Sequence, residues 1–130
     1  MERQRDLVLR WIEQIARLVA RIAHGAGTPV EELREARTQI ATLVHGLLGP
    51  VAPLVPRMTV DSASALLPDA DKLWQYAQLL DLDAAILAAL GDGDEGARQR
   101  ARAVAFGEIA SARLPEVPEE WGRWLEMRRN

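Results

Sequence analysis

Leu90-Gly91-Asp92-Gly93-Asp94-Glu95-Gly96-Ala97, in one-letter code LGDGDEGA, is the most acidic and glycine-rich run of the chain, and its reading decides the fold. If it is a cation-binding loop, the flanking segments serve a metal site; if it is a turn, they form a helical hairpin. A calcium loop of the EF-hand type needs oxygen ligands at positions 1, 3 and 5, glycine at 6 and a bidentate glutamate at 12. Counted from Asp92, positions 1 and 3 are Asp92 and Asp94, but position 5 is Gly96, position 6 is Ala97 and position 12 is Ala103. Counted from Asp81, Asp83 falls at position 3 and Ala85 at position 5. Both registers fail. The turn reading uses the same residues without strain: Gly91 ends one helix, Gly93 frees the turn, Asp94 caps the next helix and Glu95 sits at its positive end. The stretch is therefore read as a turn.

Before the turn, Leu73, Trp74, Tyr76, Leu79, Leu80, Leu82, Ile86 and Leu87 are spread almost all round a helix running from Asp69 or Asp71 to Leu90. A helix apolar on every side is expected at the centre of a bundle. After the turn, a helix starting near Asp94 carries Ala97, Ala101, Val104, Ala105, Phe106, Ile109 and Ala110 until LPEVP breaks it. Ala84, Ala85 and Ala88 on one side, with Ala97, Ala101 and Ala105 on the other, let two antiparallel helices approach closely. This hairpin, over roughly residues 73 to 110, resembles a tetratricopeptide-type unit, in which small residues bring paired helices together. No second copy is present, so a repeat array is not expected.

Further outward, Val8, Trp11, Ile12, Ile15, Leu18, Val19 and Ile22 recur at helical spacing among charged residues, predicting an amphipathic helix from Glu2 to about His24. Gly25 or Gly27 suits its C-cap. Thr28-Pro29-Val30-Glu31 predicts the next start, with a capping threonine, proline at the first position and glutamate at the third. Val30, Leu33, Ala36, Ile40, Leu43, Val44 and Leu47 form its stripe, and Gly49-Pro50 stops it. Pro50, Pro53 and Pro56 make the following segment a strap across the core rather than a helix. Thr59 caps a short helix through Leu67, and a last one starts at Pro118 with Trp121, Trp124 and Leu125 on one side. The chain reads as one all-α domain over 1–130, a compact bundle of five to six helices. Residues 1–114 are its core, and 115–130 are a hinge and a short tryptophan-bearing helix.

The opening Asp6-Leu7-Val8-Leu9-Arg10-Trp11-Ile12-Glu13-Gln14 resembles the D-x-[IV]-L-R-x-I-E-Q start of a family of small, uncharacterised bacterial helical proteins. In that family a middle helical segment and a tetratricopeptide-like hairpin follow, and the order here is similar over about residues 4 to 114. The resemblance implies a fold and a bacterial source, but no catalytic residue. The tail from Pro115 onward lies outside it.

Composition narrows the function classes. The chain is 48% hydrophobic and 27% charged, ordinary values for a globular domain, and its net charge is −3. That charge gives no general attraction to nucleic acid or anionic membrane. With no cysteine, disulfides, thiolate catalysis and cysteine-ligated zinc are excluded. The N-terminus is charged where a secretory signal is apolar, and no apolar run approaches the ~18 residues of a membrane helix, so the cytoplasm is expected.

Residue chemistry points away from catalysis. His24 and His45 each fall near a helix end, without the carboxylate and i,i+4 spacing of a metal pair. Asp81 and Asp83 lie about 160° apart round a helix, so they form no paired site. Ser62 and Ser64 have neither a nucleophile elbow nor an adjacent base, and the glycines form no phosphate-binding fingerprint. Arg98, Arg100, Arg102 and Arg113 are read as a solvated helix face. Arg3, Arg10, Arg17 and Arg21 do share one side of the first helix, but acidic neighbours dilute them. No cofactor or metal is expected. The expected function is a non-catalytic protein–protein interaction module, self-associating as a homodimer. Its candidate partner-binding residues are Leu7 and Leu9 on the first helix and Trp121, Trp124 and Leu125 on the last; the last three are either the final piece of the core or an anchor that docks on another molecule. The alternative is a buried pocket for an apolar small molecule, lined by Trp74 and Tyr76.

Overall fold

The computed structural model describes residues 4–23 and 27–129, with side-chain surroundings over 9–22 and 27–129. Among these residues all regular structure is helical: α1 (Gln4–Ala23), α2 (Val30–Leu48), α3 (Val60–Ala65), α4 (Ala70–Ala89), α5 (Gly93–Ala112) and α6 (Glu119–Arg129). Two 3-10 turns, Gly49–Val51 and Val55–Arg57, lie between α2 and α3. The fold is an all-α bundle with α4 at its centre. α1, α2 and α5 all pack against α4, as its all-round apolar sequence requires.

Two packed clusters meet along α4. Leu73, Trp74, Tyr76 and Ala77 join Phe106 and Ala110 of α5, Trp121 and Leu125 of α6, and Val55 of the strap. Leu79 and Ile86, farther along α4, join Ile15 and Leu18 of α1 and Leu33, Ala36 and Ile40 of α2. The proline-rich strap does lie across the core. Val55 is wholly buried and Ala52 nearly so, while Leu54 points outward. Gly49, at φ 64°, turns the chain out of α2 into the strap.

Local signals explain most boundaries. Asp69 Oδ1 accepts from the backbone N–H groups of Asp71 and Lys72 at 2.9 and 3.2 Å and starts α4. Thr59 Oγ1 accepts from Ser62 N–H at 3.2 Å and starts α3, which ends at Ala65, two residues short of the expected Leu67. α2 begins at Val30 with Pro29 at the cap position, so the proline stands one residue before the first helical position expected for it. Gly27 does not have positive φ, and Gly25 lies outside the described residues.

The turn LGDGDEGA is tighter than expected. Gly91 alone takes positive φ, at 97°, and Asp92 N–H donates back to Leu87 O at 2.9 Å. With the reversal complete in one residue, α5 starts at once: Asp92 is the cap, its Oδ1 accepting from Glu95 N–H at 3.4 Å, and Asp94 is already in the first helical turn. The close approach of the two helices is real, but a different face of α5 makes it. A Cβ on Gly96 would stand 2.7 Å from Ala84 O. Gly96, Ala103, Phe106, Gly107 and Ala110 are the buried stripe, whereas Ala97 and Ala101 are exposed and Ala105 half-buried. Phe106 decides between the two stripes, because one phenyl ring buries more apolar area than the alanines opposite it.

Candidate functional site

α1 and α2 rest on α4 more than on each other, which leaves a groove between them. Its volume is about 270 Å³. Ile15, Leu18 and Ala36 form the apolar floor, and Gln14, Gln39 and Glu35 stand on the rim. An ion pair of 2.8 Å between Arg21 and Glu32 crosses the end nearest the α1–α2 connection. Beside the groove, α1 keeps Trp11 36% and Leu9 42% exposed. The side chain of Leu7 lies outside the described residues.

Of the two readings the sequence leaves open for the terminal tryptophans, core or anchor, the structure follows the first for Trp121. Trp121 and Leu125 are buried within the chain itself, and Trp124 is half-buried. Trp121 stacks on Trp74 with ring centroids 4.2 Å apart and planes 3° from parallel, and Trp124 meets Trp74 edge-on at 5.2 Å. Gly107 of α5 makes room for them: a Cβ there would lie 3.2 Å from Trp124 and 3.3 Å from Leu125. As partner-binding residues, Trp121 and Leu125 are therefore corrected to core. The amphipathic pattern of a short terminal helix is the same whether it docks on its own chain or on another, so the sequence does not separate the two.

The pocket expected at Trp74 and Tyr76 is filled by the chain. Trp121 covers Trp74, and Phe106 packs against Tyr76 with ring centroids 5.3 Å apart. Tyr76 is 2% exposed, and burial pushes its phenol above the ordinary tyrosine range, with Arg102 nearby opposing that shift.

Two arginines, Arg102 of α5 and Arg113 at its end, bind backbone carbonyls of the preceding segments. Arg102 donates to Met58 O at 2.9 Å and Val55 O at 3.2 Å. Arg113 donates to Leu67 O and, at 2.8 Å, to Ser64 O. These carbonyls belong to the strap and to the end of α3; Val55 O and Ser64 O also accept the backbone N–H groups of Met58 and Leu67, so the arginines supply a second donor there. Arg98 pairs with Glu95 at 2.7 Å one turn away. Arg98, Arg100 and Arg113 are exposed, as the solvated-face reading expects, although Arg113 also binds the end of α3; Arg102, half-buried against the strap, departs from it. Residues 102 and 113 are eleven apart, about 20° round a helix, which is the signal in the sequence that one face carries both.

Asp81 and Asp83 are buried and point to different neighbours, as their angular separation requires. Asp83 accepts from Arg37 at 2.7 and 3.2 Å and from Gln99 at 2.8 Å, joining α2, α4 and α5. That contact raises the Arg37 pKa above its ordinary value, first through the hydrogen bond to Asp83, with burial opposing. Asp81 Oδ2 accepts two bonds from Arg128 of α6, at 2.9 and 3.1 Å. Arg100 Nε stands 3.1 Å from Oδ1, close enough for attraction but not aligned as a hydrogen bond. Both carboxylates are held by arginines, an arrangement that stitches helices together and offers no free base. His45 is exposed and His24 lies outside the described residues. Among the described residues no group of three or more histidine, aspartate or glutamate side chains is gathered as for a metal ion. No family model, curated protein or solved structure matches the chain.

Proposed function

We propose that this chain is a non-catalytic helical interaction module that pairs with a second copy of itself through the outer flank of α1. One observation carries the reading. Trp11 stands apart on α1, 36% exposed beside an open groove, while Trp74, Trp121 and Trp124 share one packed cluster. A tryptophan on a rigid helix is an effective interface anchor, since it covers a large area for little entropy loss. Leu9 extends the apolar surface, and a two-fold pair uses the same patch on both copies. The arginine-held aspartates argue against general acid–base work, and the net charge of −3 argues against a general attraction to nucleic acid.

The likeness of residues 73–110 to a tetratricopeptide unit fits an interaction role, and from the likeness of residues 6–14 to a bacterial family and the charged N-terminus we propose a bacterial source and a cytoplasmic location. No helix among the described residues is long and apolar enough to cross a membrane. The groove between α1 and α2 favours a second reading, a site for a small molecule with an apolar body and a polar end. It takes the place of the filled pocket at Trp74 and Tyr76.

Light scattering at low micromolar concentration tests the pairing. The expected result is a dimer that becomes a monomer in the Leu9→Glu, Trp11→Ala double variant, with helical content unchanged. A monomeric native chain at that concentration removes the self-association reading.

A further inference from the structure

We infer that the groove on α4 and α5 now filled by α6 is also a docking site for the α6 of a second copy, two chains exchanging their terminal helices about the hinge at residues 114–118. The surface is separate from the α1 flank, and the inference does not depend on it.

The groove has a defined complement. Trp121 lies flat on Trp74, Trp124 and Leu125 sit over Gly107, and Arg128 reaches the buried Asp81. Arg128 also lies over the Trp124 ring, 4.2 Å from its centroid. An occupant therefore needs a helix with two indoles, an adjacent leucine and a cation one turn beyond. The α6 of another copy supplies that set in full, and every contact it makes in the groove is the same whichever chain it belongs to.

The connection permits the exchange. The chain bends at Pro115 and Glu116 to bring α6 back onto its own body. Leu114 N–H donates to Ser111 O and Trp121 N–H to Pro118 O, but among the described residues no backbone hydrogen bond holds Pro115, Glu116 or Val117. Straightening the bend therefore breaks no backbone pairing, and the two prolines favour an extended path. Val117 in the hinge is 43% exposed and Met127 on α6 is 74% exposed. The short tether gives the chain's own α6 an effective concentration on the order of millimolar, so the exchanged form grows in as protein concentration rises. Interconversion is slow, because each α6 must leave its groove first.

The chain has no cysteine, so single thiols can be placed at will. Arg129 and Glu108 form an exposed ion pair of 3.0 Å between α6 and α5, where substitution leaves the core untouched. Glu108→Cys and Arg129→Cys chains are mixed at high concentration, diluted, and treated with a short bis-maleimide. The expected product is a heterodimer linked from 108 of one chain to 129 of the other, its share rising with the concentration during mixing. The Glu108→Cys, Arg129→Cys double variant, kept dilute, links within one chain and proves the two positions are in reach. Internal linking there, with no link across chains in the mixture at any concentration, overturns the exchange. A dimer that disappears with Leu9→Glu and Trp11→Ala and never carries the 108–129 link is an α1 pair; it upholds the proposed function and overturns this inference.

Discussion

Gly96 has no room for a methyl group. Its α-carbon faces Ala84 O so closely that a Cβ would stand 2.7 Å away, and the obstacle is backbone rather than a side chain that could swing aside. Gly96→Ala must push α4 and α5 apart or distort them, at a cost of about 1–3 kcal/mol. That outweighs the ~0.5–1 kcal/mol that alanine normally gains over glycine inside a helix. Gly93, three residues earlier and in open space with ordinary φ, is the control: Gly93→Ala should leave stability unchanged or raise it by up to ~1 kcal/mol. Denaturant melts of the two variants give the comparison, and a stabilised Gly96→Ala chain would mean that the helices do not meet there. The Asp92 cap depends on the same local geometry, because once Gly91 has reversed the chain no residue is left over to form a longer loop.

The strap between α2 and α3 is held to α5 by Arg102, and the end of α3 by Arg113, each side chain bridging a pair of carbonyls. A guanidinium presents two N–H groups in a fixed fork, so lysine does not substitute for it. Arg102→Met keeps the length of the side chain but leaves Met58 O without its side-chain donor and Val55 O with only the Met58 N–H, at an expected cost of about 1–3 kcal/mol. Arg102→Lys should recover less than half of that. A denaturant midpoint for Arg102→Met equal to that of the native chain would show that solvent replaces the donor freely. This staple illustrates what was readable in the chain and what was not. Proline spacing identified the strap, and Thr59 and Asp69 announced their helices, because those signals act within a few residues. The inward face of α5 was not readable by the same means. It offers an alanine stripe and a glycine–phenylalanine stripe, and which one turns inward depends on what α4 and α6 present to it. The arginines escaped for a related reason: their acceptors lie more than forty positions away along the chain.

Across the molecule, α4 divides the interior into two clusters, one closed by α1 and α2 and the other by α5, α6 and the strap. α6 is therefore structural as well as terminal. A chain ending at Leu114 loses Trp121 and Leu125 and uncovers Trp74 and Asp81. Single truncations of buried aromatic or leucine side chains cost about 2–5 kcal/mol each, and whole domains are stable by only about 5–15 kcal/mol. The shortened chain should lose its cooperative thermal transition or melt lower by on the order of 10 °C or more. Melting like the full chain would place α6 outside the core. Leu9 on α1 was legible as surplus apolar surface, but Trp11, exposed beside it, reads as part of the inward stripe, and the tail showed the same surplus and is buried. Surplus apolarity marks a surface that must be covered; the covering element is a property of the assembled fold.

The stacked pair of Trp74 and Trp121 gives the molecule two optical populations. Three indoles lie in one cluster, two of them in face-to-face contact and the third under a guanidinium, while Trp11 alone faces solvent. Excitation moves readily among closely spaced rings, so emission from the cluster reports whether α6 is seated, and Trp11, at the water-exposed red edge, reports on α1. Lifting α6 from its groove changes the first signal and leaves the second alone. Passing α6 from one chain to another restores the same stack, and at equilibrium it is invisible to fluorescence.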